Sequence, residues 1–312
     1  MTTILVGTDL SDNALDAANW AFGLASLLDT EERPATVTLV RVMGNDEMEL
    51  RSVIGDSSEQ RELEDLKQEV QRWLADTDTR SIDYDIEIPI GRKARTLSEM
   101  AEQRDADWLV VGKSGKGRLA RLFVGSTTEH LALRPPCPLA VIHPDGFQWG
   151  DGLNVLAAVD LTESAADAAA LGAELVQLAQ GKLQLLHVIS LPEGSTPVIE
   201  GPHSHPETLQ AHLADADEWA RNRLEALIHN REAFSSVSAD VEVRPGYPIH
   251  EVLAAIEEYG ANMLTLGAHG RSRFARFMLG GIGRSLLKKA PCSVILAPPV
   301  EDDDRPRHSG GE

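Results

Sequence analysis

The feature that most constrains this chain is an internal repeat. The segment GKSGKGRLARLFVG at Gly112–Gly125 recurs as GAHGRSRFARFMLG at Gly267–Gly280, 155 positions later. Nearer the amino end, GTDLSDNALDAA at Gly7–Ala18 is matched by AVDLTESAADAA at Ala158–Ala169, where the offset is 151. Two anchors separated by a small insertion indicate a duplicated unit of about 150 residues, so the 312-residue chain is expected to hold two copies of one domain.

The repeat divides the chain into two predicted domains and two further segments. The domains are expected at residues 1–143 and 153–298. Residues 144–152 form a short linker rich in turn-forming residues. The charged, glycine-ended tail 299–312 is expected to be disordered.

Each half alternates short apolar runs with longer amphipathic segments, which predicts strands alternating with helices. In the first half the predicted strands are 3–8, 36–43, 82–90, 108–111 and 138–142, and the second half repeats the pattern. Ser11 is expected to cap the first helix. This alternation favours parallel strands joined by right-handed crossovers. The predicted fold class is α/β: two tandem doubly wound domains, each with a five-stranded parallel sheet and helices on both faces.

The loop after the fourth strand carries the strongest sign of a binding site. Ligands of open parallel sheets bind beyond the carboxyl ends of the strands. There the sequence reads Gly112-x2-Gly115-x9-Gly125-Ser126, with two glycines at the strand exit and a third, followed by a hydroxyl, at a helix start. Glycines let the backbone approach a ligand, and N–H groups at a helix start attract phosphate. The same residues also fit a tight turn followed by an ordinary serine N-cap, so a structural role stays open.

Other classes of protein are excluded by motif or by charge. A P-loop ending at Gly112-Lys113-Ser114 would need a glycine where Asp107 stands, and no GxGxxG follows the first strand. The net charge of −20 disfavours nucleic acid and anionic membrane surfaces as partners. No apolar run approaches the ~18 residues of a membrane span. Two cysteines make no disulfide framework, so a cytoplasmic protein is expected.

With these residues the chain resembles the universal stress protein family in its tandem form. The resemblance covers both halves and rests on the glycine pattern, an aspartate after the first strand, and the duplication. It implies strand order 3-2-1-4-5 in each half and the binding of an adenine nucleotide (ATP, ADP or AMP), with Mg as an accompanying ion. The positions that match the family's adenine side are Gly7, Thr8, Asp9 and Val42, and those that match its ribose and phosphate side are Gly112, Gly115, Gly125, Ser126 and Thr127.

The second half keeps most of this pattern and departs from it at one position. Its matching residues are Asp160, Val188, Gly267, Gly270, Gly280 and Gly281. Gly281 stands where the first half has Ser126, so backbone N–H groups remain but the hydroxyl is lost. We therefore expect the first half to bind nucleotide, and the second half to bind it more weakly or to be a structural copy.

Basic residues in the glycine-rich loops add to that preference for the first half. Arg118 is expected near the phosphates, since arginine pairs with phosphate in bidentate fashion. Arg121 and Arg276 fit a solvated face paired with carboxylates instead. Lys113 and Lys116 also lie within the first loop.

The remaining chemistry-bearing residues are expected to be structural. Cys137 and Cys292 precede the last strand of each half, where a small residue packs well. His203 and His205 lie in a loop without an ordered set of metal ligands. The five tryptophans are expected to be core or half-core residues: Trp20, Trp73, Trp108, Trp149 and Trp219.

The sequence thus predicts a stress-response sensor or regulator whose nucleotide biases conformation or the choice of protein clients. Two alternatives stay open: a protein-interaction module without nucleotide, and a weak ATP hydrolase, for which no nucleophile–base pair or added catalytic motif is found. The two halves are expected to pair within one chain as two single-domain copies would. A homodimer of the whole chain stays open.

Overall fold

The computed structural model describes residues 1–44, 59–114, 123–144, 146–147, 149–190, 206–229, 231–268 and 279–298, with the backbone alone for 59, 60, 62 and 206–212. The following predicted features lie outside the described residues: Gly115, Lys116, Arg118, Arg121, His203, His205, Gly270, Arg276 and the tail 299–312.

The first half is an α/β unit in which strands and helices alternate. Its strands are β1 Thr2–Gly7, β2 Ala35–Val40, β3 Asp83–Glu87, β4 Trp108–Gly112 and β5 Leu139–Ile142. Its helices are α1 Asp12–Leu28, α2 Glu59–Leu74, α3 Lys93–Gln103 and α4 Ser126–Leu133. The predicted cap of α1 is confirmed, because the Ser11 hydroxyl accepts a hydrogen bond from Ala14 N at 3.3 Å.

The second half repeats the arrangement. Its strands are β6 Asn154–Ala158, β7 Lys182–Ser190, β8 Ala239–Gly246, β9 Met263–Gly267 and β10 Ser293–Ala297. Its helices are α5 Glu163–Ala179, α6 Pro206–His229, α7 Pro248–Tyr259 and α8 Gly281–Lys289. Thr162 caps α5 as Ser11 caps α1, accepting from Ala165 N at 3.3 Å. Among the described residues, no helix is long and apolar enough to cross a membrane.

The ten strands form one continuous sheet in the order β3-β2-β1-β4-β5-β10-β9-β6-β7-β8. Neighbouring strands within each half are parallel. The halves join through β5 and β10, which are antiparallel and set Val141 opposite Val294. The predicted α/β class is confirmed, and the two parallel sheets are fused edge to edge.

Helices cover both faces of the sheet because strand side chains alternate between them. On β1, Ile4 and Val6 belong to one core cluster and Leu5 to the other. The first cluster includes residues of α1, α2, α5 and α6, and the second includes residues of α3, α4, α7 and α8. Each cluster draws on both halves, so the hydrophobic core is continuous across their junction.

Three tryptophans pack together at the junction of the two halves, on the face of the sheet that α1 covers. The Trp149 ring lies 5.5 Å from that of Trp20, measured between centroids, and its Nε1–H donates to the Trp20 carbonyl at 2.7 Å. Trp108 meets Trp20 edge to face at 5.9 Å. Gly23 of α1 leaves the space that the Trp149 ring fills, because a Cβ there would lie 1.9 Å from Trp149 Cδ1.

Candidate functional site

The second half contains a cavity of about 530 Å³ at the carboxyl ends of its strands. Its walls come from the ends of β6, β7 and β9 and from helices α6, α7 and α8. The predicted positions that line it are Asp160, Val188, Gly267, Gly280 and Gly281. This is the place where open parallel sheets bind ligands, and the volume lies within the roughly 300–1,000 Å³ range of small-molecule sites.

The loop after β6 holds Asp160 in a defined orientation at the cavity wall. Its Oδ1 accepts hydrogen bonds from Thr162 N at 3.1 Å and from Thr162 Oγ1 at 2.5 Å. Asp9 is held in the same way in the first half, where its Oδ1 accepts from Ser11 N at 3.1 Å. In each half the aspartate is therefore tied to the residue that caps the next helix.

His187 is a cavity residue that sequence reasoning missed. It is 5% exposed, lines the cavity, and its Nδ1 lies 2.7 Å from the Val159 carbonyl oxygen. A carbonyl can only accept, so Nδ1 carries the proton and donates. The corresponding first-half position, directly after β2, holds Arg41, whose Nη1 lies 2.8 Å from Glu69 Oε2. The signal that could have found His187 is its place beside Val188 at the end of a parallel strand.

The predicted glycines divide into two groups with different physical roles. Gly112 and Gly267 are required by packing, because a Cβ would lie 2.7 Å from Asn13 O in the first case and 2.9 Å from Ala165 N in the second. Gly280 and Gly281 have no heavy atom within 4 Å of the Cβ position. The strand-exit glycines therefore serve close approach of strand to helix, while those at the start of α8 leave open space beside the cavity.

The start of α8 offers backbone N–H groups beside that open space. Gly280 is the N-cap, with extended backbone and no side-chain cap hydrogen bond. The first N–H groups of a helix have no partner within it, and they carry partial positive charge. Gly281 and Gly283 both line the cavity in this first turn, so an anionic group there would meet backbone donors.

The first half brings those predicted positions that the structure describes to the equivalent edge of the sheet. Gly7 and Gly112 end β1 and β4, Gly125 caps α4, and Ser126 and Thr127 begin that helix. The three others also follow strand ends, Thr8 and Asp9 after β1 and Val42 after β2. The Thr128 hydroxyl, which the sequence did not single out, donates to the Gly112 carbonyl at 2.9 Å.

Side chains pack closely around the strand ends in this region of the first half. A Cβ on Gly7 would lie 2.9 Å from Leu97 Cδ1, whereas the matching second-half positions, Ala158 and Val252, both line the cavity. The buried Asn13 side chain donates to the Ser114 carbonyl at 3.1 Å and to its hydroxyl at 2.5 Å. The sequence favours the first half as the better site, and the cavity described above lies in the second half.

Lys113 does not serve the phosphate loop, and that part of the sequence interpretation is wrong. Its side chain is 4% exposed, and Nζ donates to the Ala290 carbonyl at 2.7 Å across the junction of the halves. Burial lowers the pKa of its ammonium group below the ordinary value of 10.5. The lysine is therefore a contact between the domains, directly beside the Gly112 strand end.

We expect Lys113→Met to remove a pH-dependent part of the stability. With a folded-state pKa below 10.5, the unfolded chain binds more protons between the two pKa values, so wild-type stability should rise with pH across that window. Chemical denaturation from pH 7 to 10.5 should show the wild-type free energy of unfolding rising relative to that of the variant. If the free energies of unfolding of the two proteins changed in parallel with pH, the lowered pKa of the buried Lys113 would be contradicted.

The cysteines behave as packing residues, as the sequence predicts. Burial, with a smaller contribution from Asp107, raises the pKa of the Cys137 thiol to about 12. Burial raises that of Cys292 to about 12 as well. Such thiols are protonated and unreactive at neutral pH. Within the described part of the chain, no group of three or more His, Cys, Asp or Glu residues could hold a metal ion.

Trp219 corrects the expectation that all five tryptophans are core or half-core residues. It lies on α6, lines the cavity and is 61% exposed. Trp20 and Trp108 are buried as predicted. The spacing of apolar residues on a helix identifies the face that turns inward, but it does not reveal that small residues on that face leave a cavity.

Comparisons with known proteins agree with a duplicated α/β protein. A family model described as the universal stress protein family matches residues 1–143 and 153–298. A universal stress protein of Mycolicibacterium smegmatis is 27% identical over 95% of this chain and 97% of its own length. One from Mycobacterium tuberculosis is 24% identical over 94% and 95%.

A solved structure shares the fold over most of the chain. A universal stress protein from Archaeoglobus fulgidus matches with a TM-score of 0.64 at 17% identity, covering 96% of this chain and 98% of that one. Fold and site thus define a tandem protein with two α/β repeats and a cavity at the strand ends. The chain belongs to the universal stress protein family.

Proposed function

We propose that this protein is a sensor or regulator that binds ATP or another adenine nucleotide, with the second-half cavity as one site and the equivalent strand ends of the first half as the other. Each matched segment, 1–143 and 153–298, is one domain of this unit, and residues 144–152 link them. Bound nucleotide biases the conformation or the partner choice of a cytoplasmic stress-response protein. The observation that carries the proposal is the convergence of Asp160, Val188, Gly280 and Gly281 on one cavity.

The chemistry of the cavity fits the parts of a nucleotide. The part of the cavity lined by Ala158, Val188 and Leu266 is apolar and suits a base and ribose. The start of α8 offers N–H donors and the positive end of a helix dipole to phosphates.

Charge makes local donors necessary at this site. The chain carries a net charge of −20, so the field of the whole protein opposes an anionic ligand. No described lysine or arginine lines the cavity. Backbone N–H groups must therefore supply the attraction for the phosphates. An accompanying Mg²⁺ would be held mainly by phosphate oxygens and water, which that ion commonly keeps.

Equilibrium dialysis of the full-length protein against labelled ATP tests the proposal. We expect saturable binding in the micromolar range, displaced by unlabelled AMP or ADP because the base and ribose contacts are shared. Absence of saturable binding up to millimolar ATP would overturn it and favour a module that acts through protein contacts alone.

Gly281→Ser should strengthen the second site by about 1 kcal/mol, or about fivefold in Kd, because it supplies one hydroxyl donor to phosphate. The Cβ position is open, so the helix start accepts the side chain without rearrangement. Ser126→Gly is the matched exchange in the first half. Calorimetric titration with ATP measures both, and an unchanged or weaker affinity of Gly281→Ser would contradict the placement of phosphate at α8.

A further inference from the structure

We propose that Trp219 is a ligand-contacting residue of the second-half cavity and that it stacks on the planar base of the bound nucleotide. This inference rests on the function proposed above. It adds to it a residue that recognises the base of the nucleotide rather than its phosphates. The observations that carry it are the position of Trp219 on the cavity wall and its exposure to solvent.

The exposure of this side chain is unusual for its size and place. Trp219 is 61% exposed, although it projects from the same helix face that buries Ala220 at 1%. An indole offers a large apolar surface, and leaving it in water forgoes the free energy of burial. A flat apolar ligand in the cavity would cover the indole and so gain the free energy of its burial.

The helix face around Trp219 is shaped to leave room for such a partner. Ala216, Trp219 and Ala220 all line the cavity, and their i, i+3, i+4 spacing places them on one face of α6. The two alanines contribute little volume. The tryptophan therefore stands beside open space rather than against a packed neighbour of its own helix.

The other walls complement a ring with apolar faces and a polar edge. Ile282 of α8 is 49% exposed and lines the same cavity, so it offers a second apolar surface. Asp160, which follows β6, offers a carboxylate for the polar edge of the base. Gly280 and Gly281 lie at the phosphate side. Base and phosphates can thus be recognised by different residues of one cavity.

Calorimetric titration of the full-length protein with ATP, AMP and inorganic tripolyphosphate tests the assignment. Trp219→Ala should weaken ATP and AMP binding by about tenfold or more, in line with the loss of one aromatic stacking partner. Binding of tripolyphosphate, which has no base, should be unchanged. Trp219→Phe should restore most of the affinity. Leu63→Ala, an exposed apolar residue on α2 of the first half, is the matched control and should change nothing.

Intrinsic fluorescence gives a second readout. Nucleotide should change the wild-type emission, and Trp219→Phe should remove that change. Wild-type ATP affinity in Trp219→Ala, or an equal loss of ATP and tripolyphosphate binding, would overturn the role of Trp219 while leaving nucleotide binding intact. Failure of the wild type to bind ATP or AMP would overturn the proposed function, and this assignment with it.

Discussion

Gly281→Asp is expected to weaken ATP binding in the second half by at least about 100-fold while the protein remains folded. The new carboxylate would stand at the start of α8, where the phosphates are proposed to lie, and like charges brought together at a binding site oppose association by several kcal/mol. The Cβ position is free of neighbours within 4 Å, so the side chain itself is accommodated. An acidic residue in a first helical turn is favourable for the helix, so thermal stability should be unchanged or slightly higher.

The matched exchange Ser126→Asp separates the two halves. It places the same charge at the start of α4, and it should leave the affinity of the second-half site unchanged. Titration of both variants with ATP, together with thermal denaturation, makes the comparison. Loss of the tightest binding in Ser126→Asp and its retention in Gly281→Asp would place the tighter site in the first half.

Gly23→Ala is expected to lower the free energy of unfolding by about 2 kcal/mol, against the usual sign of this exchange in a helix. Alanine normally stabilises a helix interior by about 1 kcal/mol relative to glycine. Here the added methyl would lie 1.9 Å from Trp149 Cδ1, so the ring that seals the junction of the halves must move. Chemical denaturation of the full-length protein measures the change.

A double-mutant cycle with Trp149→Ala isolates this contact. In that background the clash is gone, so Gly23→Ala should become stabilising by up to about 1 kcal/mol. The reversal of sign is specific to the junction between α1 and the Trp149 ring. A destabilisation of the same size in both backgrounds would show that Gly23 is required for a different reason.

Much of the fold follows from local sequence signals, and the structure shows why. The Ser11 cap, the apolar strand β4 and the start of α4 at Ser126 depend on residues that are neighbours in sequence or lie one helical turn apart. Strand ends were less predictable. The second strand was expected to reach Met43, but β2 ends at Val40 and Met43 makes an isolated bridge with Ile90, because pairing beyond the regular ladder depends on the partner strand.

The cavity of the second half could not be predicted from motifs. The glycine pattern marks strand ends and a helix start, but the free volume depends on side chains that are distant in sequence, such as Ala158, Ala216 and Val252. The role of Lys113 also depends on a distant residue. A lysine in a glycine-rich loop is compatible with an anion site, and only the structure shows that Lys113 donates to the carbonyl of Ala290, 177 positions away.

Amide hydrogen exchange with and without ATP tests the central claim most directly. If the second-half cavity holds the nucleotide, ATP should slow exchange at Gly281–Gly283 at the start of α8, where N–H groups lack partners within the helix, and at the cavity segment around Val188. Saturating ATP that leaves both segments unchanged, while binding is measured by dialysis in the same sample, would contradict the assignment of the site.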